Sequence, residues 1–182
     1  MTEQPRTVAE IDWHAWTPTE YATLCFVIRS GQMLLIRKKR GLGAGKIVGP
    51  GGRVEPGETP LACAIREVQE ELCVTPTRVA ARGEHFFHFL DGYAIRVFAF
   101  SAEGCEGTPR ETGEAIPVWA PLDAIPYPEM WEDNRVWMPL LLEGVPFSGR
   151  YVFDGDSMLD HALDHRFDTT LAQSVPLPTD QP

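Results

Sequence analysis

The sequence "GPGGRVEPGETPLACAIREVQEEL", which runs from Gly49 to Leu72, places a glycine-rich stretch directly before a run dense in carboxylates. Thr59 is a good helix N-cap, and Pro60 suits the first position of a helix because the nitrogen there needs no intrahelical partner. The stretch therefore predicts a glycine-rich loop followed by a helix that ends near Leu72.

The predicted helix concentrates negative charge on one face. At about 100° per residue, the apolar side chains gather on one side of the helix, and Glu67, Glu70 and Glu71 gather on the other. Like charges at this spacing destabilise a helix by roughly 0.2–0.5 kcal/mol per pair. Mg²⁺ would resolve this conflict, because it is held by one or two carboxylates together with substrate phosphates. Gly51 and Gly52 would let a phosphorylated ligand approach the backbone. Taken alone, the pattern also fits a solvated acidic face beside an ordinary glycine turn.

Composition limits the classes of function. The chain has 182 residues, which favours one domain, and its formal net charge is −10. A binder of polymeric nucleic acid usually carries a basic face, so we expect none here. The sequence contains no apolar run of about 18 residues and no signal-peptide core at its start, so we expect a cytoplasmic protein without a membrane span. The scattered cysteines favour free thiols.

Further patterns predict strands on both sides of this helix. Tight turns at Ser30-Gly31 and at Asp91-Gly92 predict two hairpins. Residues 115–122 and 149–155 predict single strands, and residues 130–144 predict a second helix despite an internal proline. We expect an extension over residues 1–20, one domain over residues 21–168 and a disordered tail over residues 169–182. Strands and helices in this order predict a layered α/β sandwich.

The glycine loop and the helix together resemble the signature of the Nudix hydrolases. That signature places Gly, Glu and the run Arg-Glu-aliphatic-any-Glu-Glu-any-Gly-aliphatic at fixed spacing. Here it corresponds to Gly52, Glu58 and the run from Arg66 to Val74. Every defined position matches except one, because Cys73 stands where the family has Gly.

The resemblance implies a Nudix-type α/β/α sandwich with a mixed β-sheet and Mg²⁺-dependent hydrolysis of a nucleoside diphosphate linked to another group. Mn²⁺ is an alternative to Mg²⁺. The implied metal-side groups are the Gly52 carbonyl, Glu67, Glu70, Glu71 and Glu114. Glu70 could instead act as the base, Arg66 would orient the glutamates, and Glu58 would pair with Arg66.

Four further stretches resemble the branch of this family that hydrolyses oxidised purine nucleoside triphosphates such as 8-oxo-dGTP. They are "KKRGLGAGK", "GTPRETGEAIPVW", "LDAIPYPEMWEDNRVWMPLLLEG" and "GRYVFDGD". The substrate-binding residues that this resemblance implies are Thr23, Lys38, Phe87, Met130, Trp131, Asp133 and Asn134. The chain departs from the branch at two positions. The branch has Asn where this chain has Val48, and the branch has a second Asp where this chain has Asn134.

Two other functions stay open on the sequence. One is a Nudix pyrophosphatase for unmodified dNTPs or another nucleotide, which would show little preference for oxidised bases. The other is a non-hydrolytic binding module or isomerase of the same fold, which we would expect to have lost glutamates of the signature. In either case the expected partner is a small nucleotide, and the chain could be a monomer or a dimer.

Overall fold

The computed structural model describes residues 4–173, which form a central sheet with a helix on each face. The strands are Glu20–Arg29 (β1), Gln32–Lys38 (β2), Ile47–Val48 (β3), Thr75–Thr77 (β4), Ala80–Phe89 (β5), Ala94–Ala102 (β6), Gly104–Glu106 (β7), Ala115–Pro121 (β8), Phe147–Asp154 (β9) and Ser157–Asp164 (β10). The α-helices are Pro60–Leu72 (α1) and Asn134–Glu143 (α2). Short 3-10 turns occupy Val8–Glu10, Tyr127–Glu129 and Thr169–Ala172. Neither α-helix is long and apolar enough to cross a membrane.

The main sheet is mixed, as predicted. Its strand order is β10-β9-β5-β6-β1-β2-β3, and β8 also pairs with β2. The β1–β6 and β5–β9 pairs are parallel, whereas the β1–β2 and β5–β6 hairpins are antiparallel and close at the two predicted turns. β4 and β7 form a separate two-stranded sheet.

The two faces of the main sheet carry separate apolar clusters, one under each α-helix. Cys25 and Val27 of β1 pack with Val68 of α1 on one face. Phe26, between them in sequence, packs with Trp137 of α2 on the other face. This alternation is the period-2 pattern of a strand buried on both sides. The predicted α/β/α layering is therefore confirmed.

Several elements were not predicted from the sequence. The sequence analysis assigned no strand to β10, and it placed Ile47–Val48 in a loop, although these residues pair with β2 as the short strand β3. Pro139 lies inside α2, which continues past it to Glu143. The helix tolerates this proline because Trp137, Met138 and Leu141 are buried, and tertiary packing outweighs local propensity.

The segment before β1 lies on the sheet. The rings of Trp13 and Trp16 pack against Phe86 of β5, with ring centroids 6.3 Å and 5.5 Å from it, respectively. The Val8 amide donates to the Asp160 carboxylate of β10 over 2.7 Å. β1 itself begins at Glu20, one residue before the expected start of the domain.

The expected disordered tail is described only in part. Residues Thr169–Ala172 form a 3-10 turn, and Ala172 in that turn is buried. Residues 174–182 lie outside the part of the chain that the structure describes.

Candidate active site

The ends of α1 have the local geometry that the sequence predicts. The Thr59 side chain accepts a hydrogen bond from the Ala62 amide, and Pro60 is the first helical residue. Cys73 follows the last turn with φ 58° and ψ 31°, a left-handed backbone that favours glycine. The chain therefore has a left-handed helix end where the resembled signature has glycine, but with a side chain on it.

The glycine loop before α1 packs tightly on β1 and on α1. A Cβ atom on Gly51 would lie 1.8 Å from the Thr23 carbonyl oxygen, and one on Gly52 would lie 2.4 Å from the Glu67 carboxyl carbon. Neither position tolerates a side chain. The Gly52 carbonyl accepts from the Thr23 amide over 2.9 Å. This carbonyl thus pairs with β1, and the metal-side role that the family resemblance implies for it stays a prediction.

Arg66 is the centre of an ionic network on α1. Its guanidinium contacts both Glu58 carboxylate oxygens at 2.9 Å and 3.1 Å, Glu67 at 2.7 Å and Glu70 at 3.1 Å. The Arg53 carbonyl accepts a further hydrogen bond at 3.1 Å. These contacts engage all three nitrogens of the guanidinium, so the side chain is held in one orientation.

The carboxylates in and beside this network differ in pKa. The hydrogen bonds between Arg66 and Glu58 raise the pKa of Arg66. Burial acts to raise the pKa of Glu58, but the same hydrogen bonds outweigh it and the pKa is lowered. Burial raises the pKa of Glu67 despite its contact with Arg66. Burial raises the pKa of Glu71 to about 8, and the negative charge of Glu67 adds to the effect.

Glu71 is buried, which the helical wheel did not predict. Its side chain lies beneath the glycine loop, where its carboxylate accepts a hydrogen bond from the Gly51 amide over 2.9 Å. The wheel placed Glu71 on the polar face because it considers α1 alone, whereas the loop covers part of that face. A buried carboxylate with one hydrogen bond and like charges nearby is the environment that a cation would stabilise.

Glu70 and Glu114 complete the predicted set of acidic residues. Glu70 is exposed on α1, and Glu114, just before β8, forms an ion pair with Arg40 of the loop after β2. Within residues 4–173, no three acidic, histidine or cysteine side chains stand close enough to hold a metal as placed. The charge of Glu114 nevertheless contributes to the raised pKa values of Glu67 and Glu71, and carboxylate oxygens of this kind are the ligands that a divalent cation takes.

A cavity of about 560 Å³ opens beside the glycine loop and extends to α2. This volume suits a small-molecule ligand. Of the predicted substrate-side and metal-side residues, those that line it are Thr23, Lys38, Gly52, Phe87, Glu114, Trp131, Asp133 and Asn134. Glu67 and Glu71 lie behind its glycine edge, in contact with Gly52 and Gly51. The cavity therefore runs from the glycine loop, behind which these carboxylates lie, to the polar residues at the start of α2.

The α2 end of the cavity combines aromatic walls with two polar side chains. Asp133 is fully buried, its carboxylate accepts from Trp137 Nε1 over 2.7 Å, and burial raises its pKa to about 6. The Asn134 amide donates one N–H to the Trp131 carbonyl over 3.1 Å. An amide has a second N–H and an acceptor oxygen, so Asn134 keeps both kinds of hydrogen-bonding group for a ligand.

Two predicted substrate residues take other roles. Met130 is buried in the apolar cluster under α2 and does not line the cavity. Thr23 borders the cavity, but its hydroxyl lies 3.3 Å from the Cys63 sulfur, in the layer between β1 and α1. Burial raises the pKa of Cys63 to about 12, so its thiol keeps its proton at neutral pH.

Several cavity residues were missed by the sequence analysis. They are Phe89, Tyr93, Trp137 and Phe153. Two signals could have indicated members of this set. Phe89 follows Phe87 by two residues on β5 and so shares its face. Trp137 lies four residues after Asp133, one helical turn away.

The family comparison agrees with this fold and site. The NUDIX domain family model matches residues 18–141. The chain therefore belongs to the NUDIX family.

Its relatives indicate a branch of that family. The chain is 40% identical over 144 residues to the oxidized purine nucleoside triphosphate hydrolase of Danio rerio, covering 78% of this chain and 92% of the relative. It is 39% identical over 143 residues to the enzyme of the same name from Mus musculus, with the same coverage. Among solved structures, a mutator MutT protein from Bacillus halodurans superposes with a TM-score of 0.72 at 26% identity, over 81% of this chain and 99% of that one.

Proposed function

We propose that this chain hydrolyses purine nucleoside triphosphates, oxidised purines such as 8-oxo-dGTP among them, to the monophosphate and pyrophosphate. Such an enzyme removes damaged nucleotides from the nucleotide pool. The observation that carries the proposal is one cavity that runs from Gly51 and Gly52, directly behind which Glu71 and Glu67 lie, to the aromatic and polar residues beside α2. The names of the two animal relatives support the same substrate class.

The carboxylates of α1 fit a divalent cation, which we propose to be Mg²⁺, with Mn²⁺ as a substitute. Glu67 and Glu71 would hold it, and Glu70 and Glu114 would contribute from the exposed side. When bound, Mg²⁺ neutralises charge on the triphosphate and on the attacked phosphorus. Arg66 maintains the spacing of these glutamates through its contacts with Glu67 and Glu70.

The residues around the triphosphate and the base supply orientation. Lys38 lines the cavity, and its positive charge opposes part of the rise in the pKa of Glu71, so it lies on the carboxylate side of the cavity, where it would compensate the charge of a phosphate group. Trp131 and Phe87 give flat walls for a base. Asp133 and Asn134 face the edge of that base, where Asn134 offers a donor and an acceptor at every pH.

The choice of base is the finer part of the proposal. Val48 lines the cavity but has no hydrogen-bonding group, so one polar contact available to the resembled branch is missing. A polar group of the base that is left unpaired costs roughly 1–3 kcal/mol. We therefore expect a preference for 8-oxo-dGTP over dGTP that is looser than in the resembled branch.

The test is hydrolysis by the purified full chain in Mg²⁺ of 8-oxo-dGTP, dGTP, 2-oxo-dATP and dATP, with ADP-ribose and dCTP as controls. We expect nucleoside monophosphate and pyrophosphate from the purine triphosphates, with the oxidised ones hydrolysed faster. Preference for dCTP or ADP-ribose would refute the purine assignment and leave only the family chemistry. No hydrolysis of any compound would favour a binding module.

The proposal includes a reducing cytoplasmic setting. All four cysteines are free, and free thiols are typical of that compartment. Fractionation of the native cells, with detection of the chain in a membrane-free supernatant or elsewhere, tests this setting.

A further inference from the structure

Cys63, in the first turn of α1, has an unusual number of polar neighbours for a fully buried thiol. Its sulfur lies 3.3 Å from the Thr23 hydroxyl, 3.3 Å from the Arg53 carbonyl oxygen, 3.6 Å from the Gly52 carbonyl oxygen and 3.6 Å from Arg66 Nη2. These groups belong to β1, to the glycine loop and to α1. One side chain thus connects the three elements that meet at the carboxylates.

The chemistry of these neighbours gives a direction to three of the four contacts. A thiol has one hydrogen to donate and a sulfur that accepts weakly. The carbonyl oxygens of Gly52 and Arg53 can only accept, so the S–H is directed at this pair. The Arg66 guanidinium can only donate, whereas either partner can donate between the Thr23 hydroxyl and the sulfur. The thiol is therefore a donor to the glycine loop and an acceptor from α1.

The glycine loop in turn limits where the carboxylates can lie. The Gly52 backbone packs directly against the Glu67 carboxylate, and the Gly51 amide donates to Glu71. A shift of a few tenths of an ångström in the Gly52–Arg53 peptide would therefore move the surface that both carboxylates contact. Interiors are packed too closely to absorb such a shift without consequence.

We propose that Cys63 is a positioning residue for cation binding, because its thiol fixes the Gly52–Arg53 peptide against the carboxylates of α1. The inference rests on the proposed function, since it assigns Glu67 and Glu71 to a divalent cation. The alternative is that Cys63 only fills space in the layer between β1 and α1.

Cys25 offers a matched control for that alternative. It is also fully buried and lies on β1, facing α1. Across the described residues its thiol has no hydrogen-bond partner. Replacement of either cysteine by alanine removes one buried sulfur, but only the change at Cys63 removes hydrogen bonds to the glycine loop.

The experiment measures binding of Mn²⁺ to the full chain without nucleotide, by the loss of the free Mn²⁺ signal in electron paramagnetic resonance. We expect Cys63→Ala to weaken Mn²⁺ binding by about 3- to 10-fold, the size of one net hydrogen bond. Cys25→Ala should leave it within about twofold of the wild type, as expected where no such bond is lost. Cys63→Ser, which keeps a donor and an acceptor, should restore most of the loss. Thermal denaturation of each variant without metal identifies any that fail to fold.

The outcomes separate this inference from the proposed function. If the wild type binds no Mn²⁺, the cation assignment is wrong, and the inference fails with it. If the wild type binds Mn²⁺ and Cys63→Ala binds it equally well, the inference alone is overturned and Cys63 only packs. If Cys63→Ala does not fold, Cys63→Val takes its place, because valine fills a similar volume without a hydrogen-bonding group. A packing role then predicts the Mn²⁺ affinity of the wild type, whereas a positioning role predicts the loss of about 3- to 10-fold.

Discussion

Nearly all of the ionic network on α1 comes from one contiguous stretch, between Gly51 and Glu71. The cavity beside α2, in contrast, collects its lining from six strands, several loops and a helix. In the first region one charged side chain compensates the negative charge around it, because Arg66 alone donates hydrogen bonds to three glutamates. In the second region, aromatic rings surround two polar side chains, Asp133 and Asn134. The two regions differ in how they are built and in what they can contribute.

This difference suggests a division of labour. Under the proposed function, the α1 region would set the chemistry, because its carboxylates and glycine backbone are suited to a cation and phosphates whatever the base. The α2 region would set which base is accepted, because its rings and polar groups lie at the far end of the cavity. Changes in the first region should alter turnover for all substrates, and changes in the second should alter the ratio between substrates.

The largest effect is expected from Glu71→Gln. Loss of a carboxylate from the cation site should lower kcat by a factor of at least about 10². Stability without metal should hold or rise slightly, because a buried carboxylate and its repulsion with Glu67 are removed. Steady-state kinetics at saturating Mg²⁺ and metal-free thermal denaturation measure both. Glu103→Gln, on an exposed residue, is the control. A Glu71 variant with near-full turnover would exclude this carboxylate from the chemistry.

Asp133→Asn should change how stability depends on pH. Burial raises the pKa of Asp133 to about 6, above the value in an unfolded chain. The folded state then holds its proton more tightly, so the wild type should lose stability as pH rises from about 4 to about 6 and lose no more above that. The variant should lack this loss, which is roughly 1–3 kcal/mol at about 1.4 kcal/mol per pKa unit.

Urea denaturation of both proteins from pH 4 to pH 8 checks this, with the exposed Asp123→Asn as the control. The stability gap between variant and wild type should widen up to about pH 6 and then level off. A gap that is constant over the whole range would mean that Asp133 is ionised throughout.

Trp131→Ala tests whether the aromatic wall binds the base. Stacking of a base on an aromatic ring contributes roughly 1–3 kcal/mol. We therefore expect KM for a purine triphosphate to rise about tenfold or more, with kcat changed by less than about threefold, since the ring lies away from the carboxylates. Trp119→Ala on β8, outside the cavity lining, provides the comparison. Equal effects from both tryptophans would indicate a loss of stability and not of stacking.

The smallest effect concerns the end of α1. Cys73 has a left-handed backbone and an exposed side chain, so Cys73→Gly should stabilise the chain by about 1 kcal/mol. Cys73→Ser keeps a side chain at the strained position and should match the wild type. A clear loss of stability on changing Cys73 to Gly, measured by chemical denaturation, would show that packing of the cysteine outweighs the strain.

The two regions also differ in how far the sequence could predict them. The N-cap of α1 and the two hairpin turns depend on neighbouring residues, and these predictions were confirmed. The burial of Glu71 depends on the glycine loop folding over α1, which no helical wheel includes. The contact between Thr23 and Cys63 joins residues 40 apart in the chain, so strand and helix positions must both be known.

The cavity shows the same limit. Trp131 and Asp133 were predicted there by resemblance, and the structure brings them to the cavity. Met130 was predicted with them and is instead buried under α2, because adjacent residues in an irregular turn point in different directions. Local spacing could not distinguish these outcomes.

The most direct test of the division of labour is kcat/KM for six nucleotides, 8-oxo-dGTP, dGTP, 2-oxo-dATP, dATP, dCTP and dTTP, with the wild type, Glu71→Gln and Asn134→Asp, from pH 6 to pH 9. Glu71→Gln should lower all six values by a common factor and leave their ratios unchanged. Asn134→Asp should change the ratio of kcat/KM for 8-oxo-dGTP to kcat/KM for dGTP. This ratio should also depend more steeply on pH near neutrality, because a titrating group replaces an amide. Ratios that shift in Glu71→Gln, or a uniform loss in Asn134→Asp, would contradict the account.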